Sequence, residues 1–426
     1  MREDGMTNLK IFYRVELVFT SPLHLGKGSQ GDYLGASEII HDGSGQYVLP
    51  GTSIAGVFFA TMEKCVVWKS FNTNDLELWK QNVTTQPSGK DDDSQASRII
   101  FRTATLNPVE LRVRDKVKIC RKTKTAEENA KFSLWEIDPG RVKLLIEIDN
   151  VSRSNHLEQN EFSKLEEWVE SVFYSWKQEG VFLGGHTGTG NGQARLVKVE
   201  RFKLDANNFN EYLQSSYHDL LNKDALWSEF TPASSGSHRG RFLKHYLCTV
   251  KTGLHNPILV KGGSSYQSIA NPETDVAFIS RKGSPFIPGS SFRGALSSIM
   301  DKYKKQEWKT LLGQPKTVGK NSEQGGCIIF TDLYLDKQAS PDMKLLQIEH
   351  HSEDQFSRAV YGSGKFTEER LFNAVFRGEI MVLDCDTARK ANIDCLFGFL
   401  KQACDYGLIA LGSGGCHPEI TLEEKK

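Results

Sequence analysis

Hydrophobic and polar positions alternate along residues 11–19, which predicts a half-buried strand. A helix is expected to follow Pro50-Gly51, with Thr52 or Ser53 as its N-cap and Val57, Phe58 and Met62 on its apolar face. Residues 141–148 read as a strand, residues 161–177 as a helix with Phe162, Leu165, Trp168, Val169, Phe173 and Trp176 at helical spacing, and residues 193–202 as a closing strand. The same order then returns: strand 241–250, helix 290–303, strand 376–383, helix 388–405, a glycine-rich loop and a short strand near 419–422.

The sequence itself repeats in the same register. Ser21-Pro-Leu-His-Leu-Gly26 leads to Leu49-Pro-Gly-Thr-Ser-Ile-Ala-Gly56, and Gly253-Leu-His-Asn256 leads to Ile287-Pro-Gly-Ser-Ser-Phe-Arg-Gly294. Each half closes on glycines, at 184–192 and at 407–415. Repeats of this kind decide the architecture before any local detail. We therefore expect an α+β fold of two tandem ferredoxin-like modules, residues 1–235 and 241–426, joined through the linker-like stretch 232–240. Two polar segments, about 66–140 and 304–375, read as irregular insertions outside the core.

Composition narrows the function classes. The 53 Lys and Arg balance the 53 Asp and Glu, so no global basic field marks a polyanion partner and any nucleic-acid surface has to be local. One local imbalance stands out: Arg112, Arg114, Lys116, Lys118, Arg121, Lys122 and Lys124 face a single acid, Asp115, within 112–124. The eight cysteines show no C-x-x-C spacing, so reduced thiols are expected instead of a zinc ribbon or a disulfide framework. No apolar run approaches the ~20 residues needed to span a bilayer, and the first residues lack an apolar signal core. A cytoplasmic protein with no membrane partner is expected.

The loop at Gly184, Gly185, His186, Thr187, Gly188 and Gly190 follows a helix and enters a strand, the reverse of a dinucleotide fingerprint. Glycines there let backbone N–H groups approach a phosphate, and a Pro-Gly-Ser/Thr-Ser helix start beside it would add a second anion-binding element. The sets Leu23-His-Leu-Gly26, Leu49-Pro-Gly-Thr-Ser-Ile-Ala-Gly56, the basic run from Val113, and the Gly184 loop together resemble the RAMP proteins that form the RNA-binding backbone of type III CRISPR effector complexes. The tandem layout is most similar to the double-module subunit of type III-D variants.

The resemblance implies a modified RNA-recognition palm that grips guide RNA, and a β-hairpin thumb that intercalates between guide and target. The first thumb would be about 112–132 and the second about 344–372, where Arg358 and Lys365 loosely echo Arg121 and Lys131. In the palms, Ser53 and, in the second copy, Ser290, Ser291 and Arg293 would meet guide phosphates, as would Gly412 and Ser413 of the abbreviated second glycine loop. The first copy has Ala55 where the second has Arg293. The resemblance also implies an endoribonuclease whose loop carboxylate acts beside a displaced target nucleotide, with Mg²⁺ as cofactor. A carboxylate there can position the 2′-hydroxyl, accept its proton or hold the metal. Asp32 is the first-module candidate and Asp275 the second. Guide RNA, single-stranded target RNA and other effector subunits would be the partners.

Two alternatives stay open. One is an RNA-binding scaffold without chemistry. The other is a guide-processing endonuclease using His24 as base, although the matching places of His24 and His255 fit a structural hydrogen bond equally. His350-His351 has no partner at metal-ligand spacing.

Overall fold

A computed structural model gives the fold. It describes residues 9–26, 36–64, 97–107, 110–120, 126–150, 157–214, 216, 219, 222–233, 240–262, 273–303, 305–313, 326–353, 356–357, 360–413 and 415–425. The first half runs β1 (Lys10–Phe19), α1 (Gly51–Met62), β2 (Ile99–Phe101), a hairpin of β3 (Glu110–Ile119) and β4 (Ala126–Asp138), β5 (Arg141–Asp149), α2 (Gln159–Glu179), β6 (Gln193–Leu204) and β7 (Ser228–Phe230). Its sheet order is β7-β6-β1-β5-β2. Without the β7 extension, the antiparallel β6-β1-β5-β2 order is that of a ferredoxin-like fold.

The second half repeats the plan with β8 (Phe242–Lys251), α3 (Gly289–Lys302), β9 (Ile328–Phe330), β10 (Leu333–Leu335), a hairpin of β11 (Lys344–Glu353) and β12 (Val360–Phe372), β13 (Val375–Leu383), α4 (Ile393–Asp405) and β14 (Glu419–Glu424). Here β14 lies beside β8, β8 beside β13, and both β9 and β10 pair along β13. The expected tandem ferredoxin-like architecture is therefore what forms.

The core of each module follows from the pattern of side chains. Ile11, Tyr13, Val15 and Leu17 alternate onto the helix-covered face of β1, where α1 supplies Ile54, Phe58 and Met62 and α2 supplies Phe162, Leu165, Val169, Phe173 and Trp176. The half-buried reading of β1 is corrected, because Phe12 on the opposite face also packs with Phe202, Leu204 and Trp227. The helix starts are corrected too. Pro50 and Pro288 occupy the cap positions and make no side-chain cap bond, while the first helical N–H groups are taken from afar. Gly51 N–H donates to Thr103 Oγ1 at 3.3 Å, and Gly289 N–H donates to Asp332 Oδ1 at 2.9 Å.

The segments expected to be irregular contribute to the core instead. Ile99-Ile-Phe101 and Ile328-Ile-Phe330 are the second strands of the two folds, and the hairpins extend the insertions into ordered ribbons. The single helix expected over 388–405 is two, Asp386–Lys390 and Ile393–Asp405. Asn392 interrupts it by accepting the Cys395 N–H with its side chain.

Candidate nucleic-acid interface

Pseudo-symmetry between the modules fixes which residues correspond. Gly184 has φ +81° and Gly412 has φ +74°; a Cβ on them would lie 2.5 Å from the His24 carbonyl oxygen and 2.3 Å from that of Leu259. The next residue donates to the same carbonyl in each copy, Gly185 to His24 at 2.8 Å and Ser413 to Leu259 at 2.7 Å. His24 therefore corresponds to Leu259, and its pairing with His255 is corrected. The His24 ring is 5% exposed, and its Nδ1 donates to the Trp135 carbonyl at 2.7 Å, so it shapes the hairpin base; the ring centre lies 5.4 Å from that of His186.

The first glycine loop lies between the modules. Its 3₁₀ turn, Thr187–Thr189, is entered through His186 in the left-handed region and left through Gly190. Gly190 has φ +85°, and a Cβ there would stand 2.6 Å from Thr331 Cα and 2.9 Å from the Asp332 nitrogen, both in the second module. Such contacts cannot relax by side-chain rotation. Gly190→Ala is expected to cost about 1–3 kcal/mol in denaturant unfolding, from overpacking plus a strained φ. Gly188→Ala, whose Cβ would meet only Arg293 Nη1 at 4.0 Å, serves as the near-neutral comparison.

Below the loop, β3 turns its basic stripe toward the second module. Arg114 is 2% exposed, and its guanidinium donates to Glu136 at 3.1 Å and to both Asp332 oxygens at 3.3 Å. Arg112 bonds Glu136 at 3.0 Å, and Asn191 in the glycine loop donates to the same carboxylate at 3.0 Å. Burial opposes ionisation of Glu136, but Arg114, Arg112 and the Asn191 amide outweigh it and hold the carboxyl down at about 2. The expectation that Arg114 faces phosphate is thus corrected, since the side chain is enclosed as an intermodule tie. Arg281 to Asp138 at 2.8 Å and the Arg241 N–H to Glu179 at 2.8 Å add further ties across the same junction.

Lys116 is different. It forms no ion pair among the described residues, and burial, reinforced by the Arg114 charge, pushes its ammonium down to about 8. His186 is open to solvent at its rim, yet partial desolvation, then Lys116 and His24, push its pKa below the ordinary value. From the second module Arg293, half-buried on α3, reaches Gly188 of this loop while donating to the Leu312 carbonyl. Burial lowers its pKa as well, so the site holds cationic groups that an anion would favour. Ser290 and Ser291 are half-buried in the first turn of the same helix, and Ser53 is half-buried in the first turn of α1.

The other sequence candidates lie elsewhere. Gly412 and Ser413 line the base of the second hairpin, where Ile258 pairs with Leu371. Lys365 stands on β12, exposed, and pairs with Glu349 at 3.4 Å. Lys118 is on β3. Asp32, Arg121, Lys122, Lys124 and Arg358 lie outside the described residues.

Asp275 accepts the Thr367 N–H at 2.7 Å and its hydroxyl at 3.0 Å, bonds that lower its pKa. Parallel pairing of Val276 with Glu368 in the second module, and of Ser37 with Leu134 in the first, makes Asp275 the positional equivalent of Ala36. The pairing of Asp275 with Asp32 is therefore corrected, and the Asp275 carboxylate clasps its loop to the hairpin. No group of three or more His, Cys, Asp or Glu that could hold a metal ion occurs among the described residues.

Sequence reasoning did not identify Glu136, Asn191 or Asp332 as parts of the junction. Asn191 sat inside the quoted glycine run, and Asp332 follows the second Ile-Ile-Phe triplet, so the repeat itself carried that signal. No helix among the described residues is long and apolar enough to cross a membrane. The family model of the RAMP superfamily matches residues 16–195 and 254–415. No match is found among the curated proteins.

Proposed function

The chain belongs to the RAMP superfamily, and on that premise we propose that it is a tandem backbone subunit of a type III CRISPR ribonucleoprotein, of the double-module kind found in type III-D. It holds guide RNA by its sugar-phosphate backbone along two consecutive palms and cuts the paired target RNA through Asp32. The observation that supports this reading best is the meeting of the first glycine loop, Lys116 and Arg293 at the module junction. The first palm lacks a cation of its own at Ala55, and Arg293 of the second module supplies one to the same loop. One guide phosphate is shared by two modules in this arrangement.

Binding through phosphates predicts little dependence on guide sequence and a strong dependence on salt. Asp32 positions the target 2′-hydroxyl or holds Mg²⁺, which when bound supplies charge stabilisation at the scissile phosphate. Guide RNA, target RNA and neighbouring effector subunits are the partners.

The pH dependence of RNA binding tests the site. An anion favours the charged amine, so RNA raises the Lys116 pKa, and affinity is fully supported below about 8 and declines as the pH rises through and beyond that value. Arg114, Glu136, Asp332 and His186 surround the amine; Arg114 keeps its charge throughout, and Glu136, held down at about 2, stays ionised over this interval. Fluorescence anisotropy with a single-stranded RNA is expected to show that decline in wild type and to lose it in Lys116→Ala. A decline of equal size in both would remove Lys116 from the interface.

A further inference from the structure

The second module holds two thiols face to face. Cys327, just before β9, and Cys385, at the N-cap of the short helix Asp386–Lys390, have their sulfurs 2.8 Å apart, inside ordinary van der Waals contact. The backbone pins both. Cys327 N–H donates to Leu311 at 2.7 Å, its carbonyl accepts from Leu383 at 2.8 Å, and the Cys385 carbonyl accepts the Arg389 N–H at 2.9 Å. Closing a sulfur–sulfur bond from here takes a movement of about 0.8 Å. Cys327 is 6% exposed and Cys385 is half-buried, so solvent reaches only the second freely.

We propose that Cys327 and Cys385 form an oxidant-responsive disulfide, a modification site independent of the RNA-binding reading. The oxidant class is a hydroperoxide. The Cys385 thiolate attacks the terminal peroxide oxygen, the O–O bond breaks, and Cys385 becomes a sulfenic acid as the peroxide leaves as alcohol, or as water from hydrogen peroxide. Cys327 then gives up its proton and attacks the Cys385 sulfur; the S–S bond forms and the sulfenic oxygen leaves as water. Two thiols and one peroxide thus become one disulfide, one water and one alcohol. Burial and the neighbouring Cys385 thiol push the Cys327 thiol up to about 12, which leaves the first attack on the peroxide to Cys385; Cys327 joins the second step through its 2.8 Å contact with that sulfur.

The bond has a structural consequence. It ties the strand carrying Ile328–Phe330 to the end of β13, and Thr331 and Asp332, directly after that strand, seat Gly190 and bind Arg114. Oxidation thereby fastens the surface on which the first module rests.

The test is hydrogen peroxide treatment of the folded full chain, alkylation of remaining thiols and non-reducing peptide mass mapping. A linked Cys327–Cys385 peptide is expected, with a rise of the unfolding midpoint by several degrees that dithiothreitol reverses. In Cys327→Ser the linked peptide disappears and dimedone traps Cys385 as the sulfenic acid. The proposal is overturned if Cys327 and Cys385 are both still alkylated in wild type while the exposed Cys395 is oxidised, or if the pair oxidises to acids without linking. The wild-type map decides this even where a variant folds poorly.

Discussion

Arg114→Ala lowers the unfolding free energy by about 3–5 kcal/mol, the cost of breaking a buried ion network by removing one partner. The side chain lies between Glu136, at 0% exposure, and Asp332, at 1%, so its removal leaves two carboxylates facing an emptied, dry space. Glu136 keeps Arg112 and Asn191, and Asp332 keeps the Gly289 N–H, which is why the loss stays within that range. Arg114→Lys recovers only part of it, since a single ammonium cannot match the fork that spans both acids. The pH dependence has a definite sign. The depressed pKa of Glu136 contributes stability that is fully present above about 4.5 and lost as the pH falls toward about 2. The variant has already lost much of that contribution, so the gap from wild type narrows on acidification. Urea unfolding at neutral and acidic pH checks both statements; a constant gap would assign the loss to packing alone.

Asp32→Ala removes one discrete cut in guide-complementary RNA when the effector complex is assembled with Mg²⁺. The rate at that position falls by about 10²–10⁴-fold, the usual contribution of a positioned acid or base. Guide and target binding are expected to persist, because the proposed phosphate contacts are those of the palm. Asp275→Ala leaves the same cut in place. Its carboxylate is held by the Thr367 N–H and hydroxyl and its position is equivalent to Ala36, so its loss loosens a hairpin contact without removing the counterpart of Asp32. Mapping of cleavage products for both variants reads the outcome. Survival of every cut in Asp32→Ala would make the chain a scaffold and place the catalytic acid on another subunit.

The fold was legible in the sequence where a motif recurred. Pro50-Gly51 and Pro288-Gly289 mark the two helix starts because a Cβ at either glycine would lie 2.1 Å from the carbonyl oxygen ending β2 or β9. The Ile-Ile-Phe triplets that end in those carbonyls are too short to read as strands without the repeat. The basic stripe was legible as charge but not as geometry. Alternation along β3 sends Arg112, Arg114 and Lys116 to one face, yet only the acids Glu136 and Asp332, distant in sequence, decide which cation is consumed by the protein and which remains for a ligand. The two modules differ here. The register of the second hairpin puts Leu346, Ile348 and His350 where the first has Arg112, Arg114 and Lys116, so the fold repeats while its charge does not. Spacing also misled for His24 and Asp275, because the loops between equivalent strands differ in length and only the pairing of backbone groups restores the correspondence.

The salt dependence of RNA binding tests the shared-phosphate site most directly. The logarithm of affinity for a single-stranded guide is measured against the logarithm of salt concentration for wild type and for the Lys116→Ala/Arg293→Ala double variant. Loss of both cations from the one shared phosphate reduces the magnitude of the slope by about 0.7, roughly 0.7 per neutralised phosphate on a single strand. A slope unchanged within error would contradict the account, because it would mean that neither the hairpin lysine of the first module nor the helix arginine of the second touches the RNA backbone.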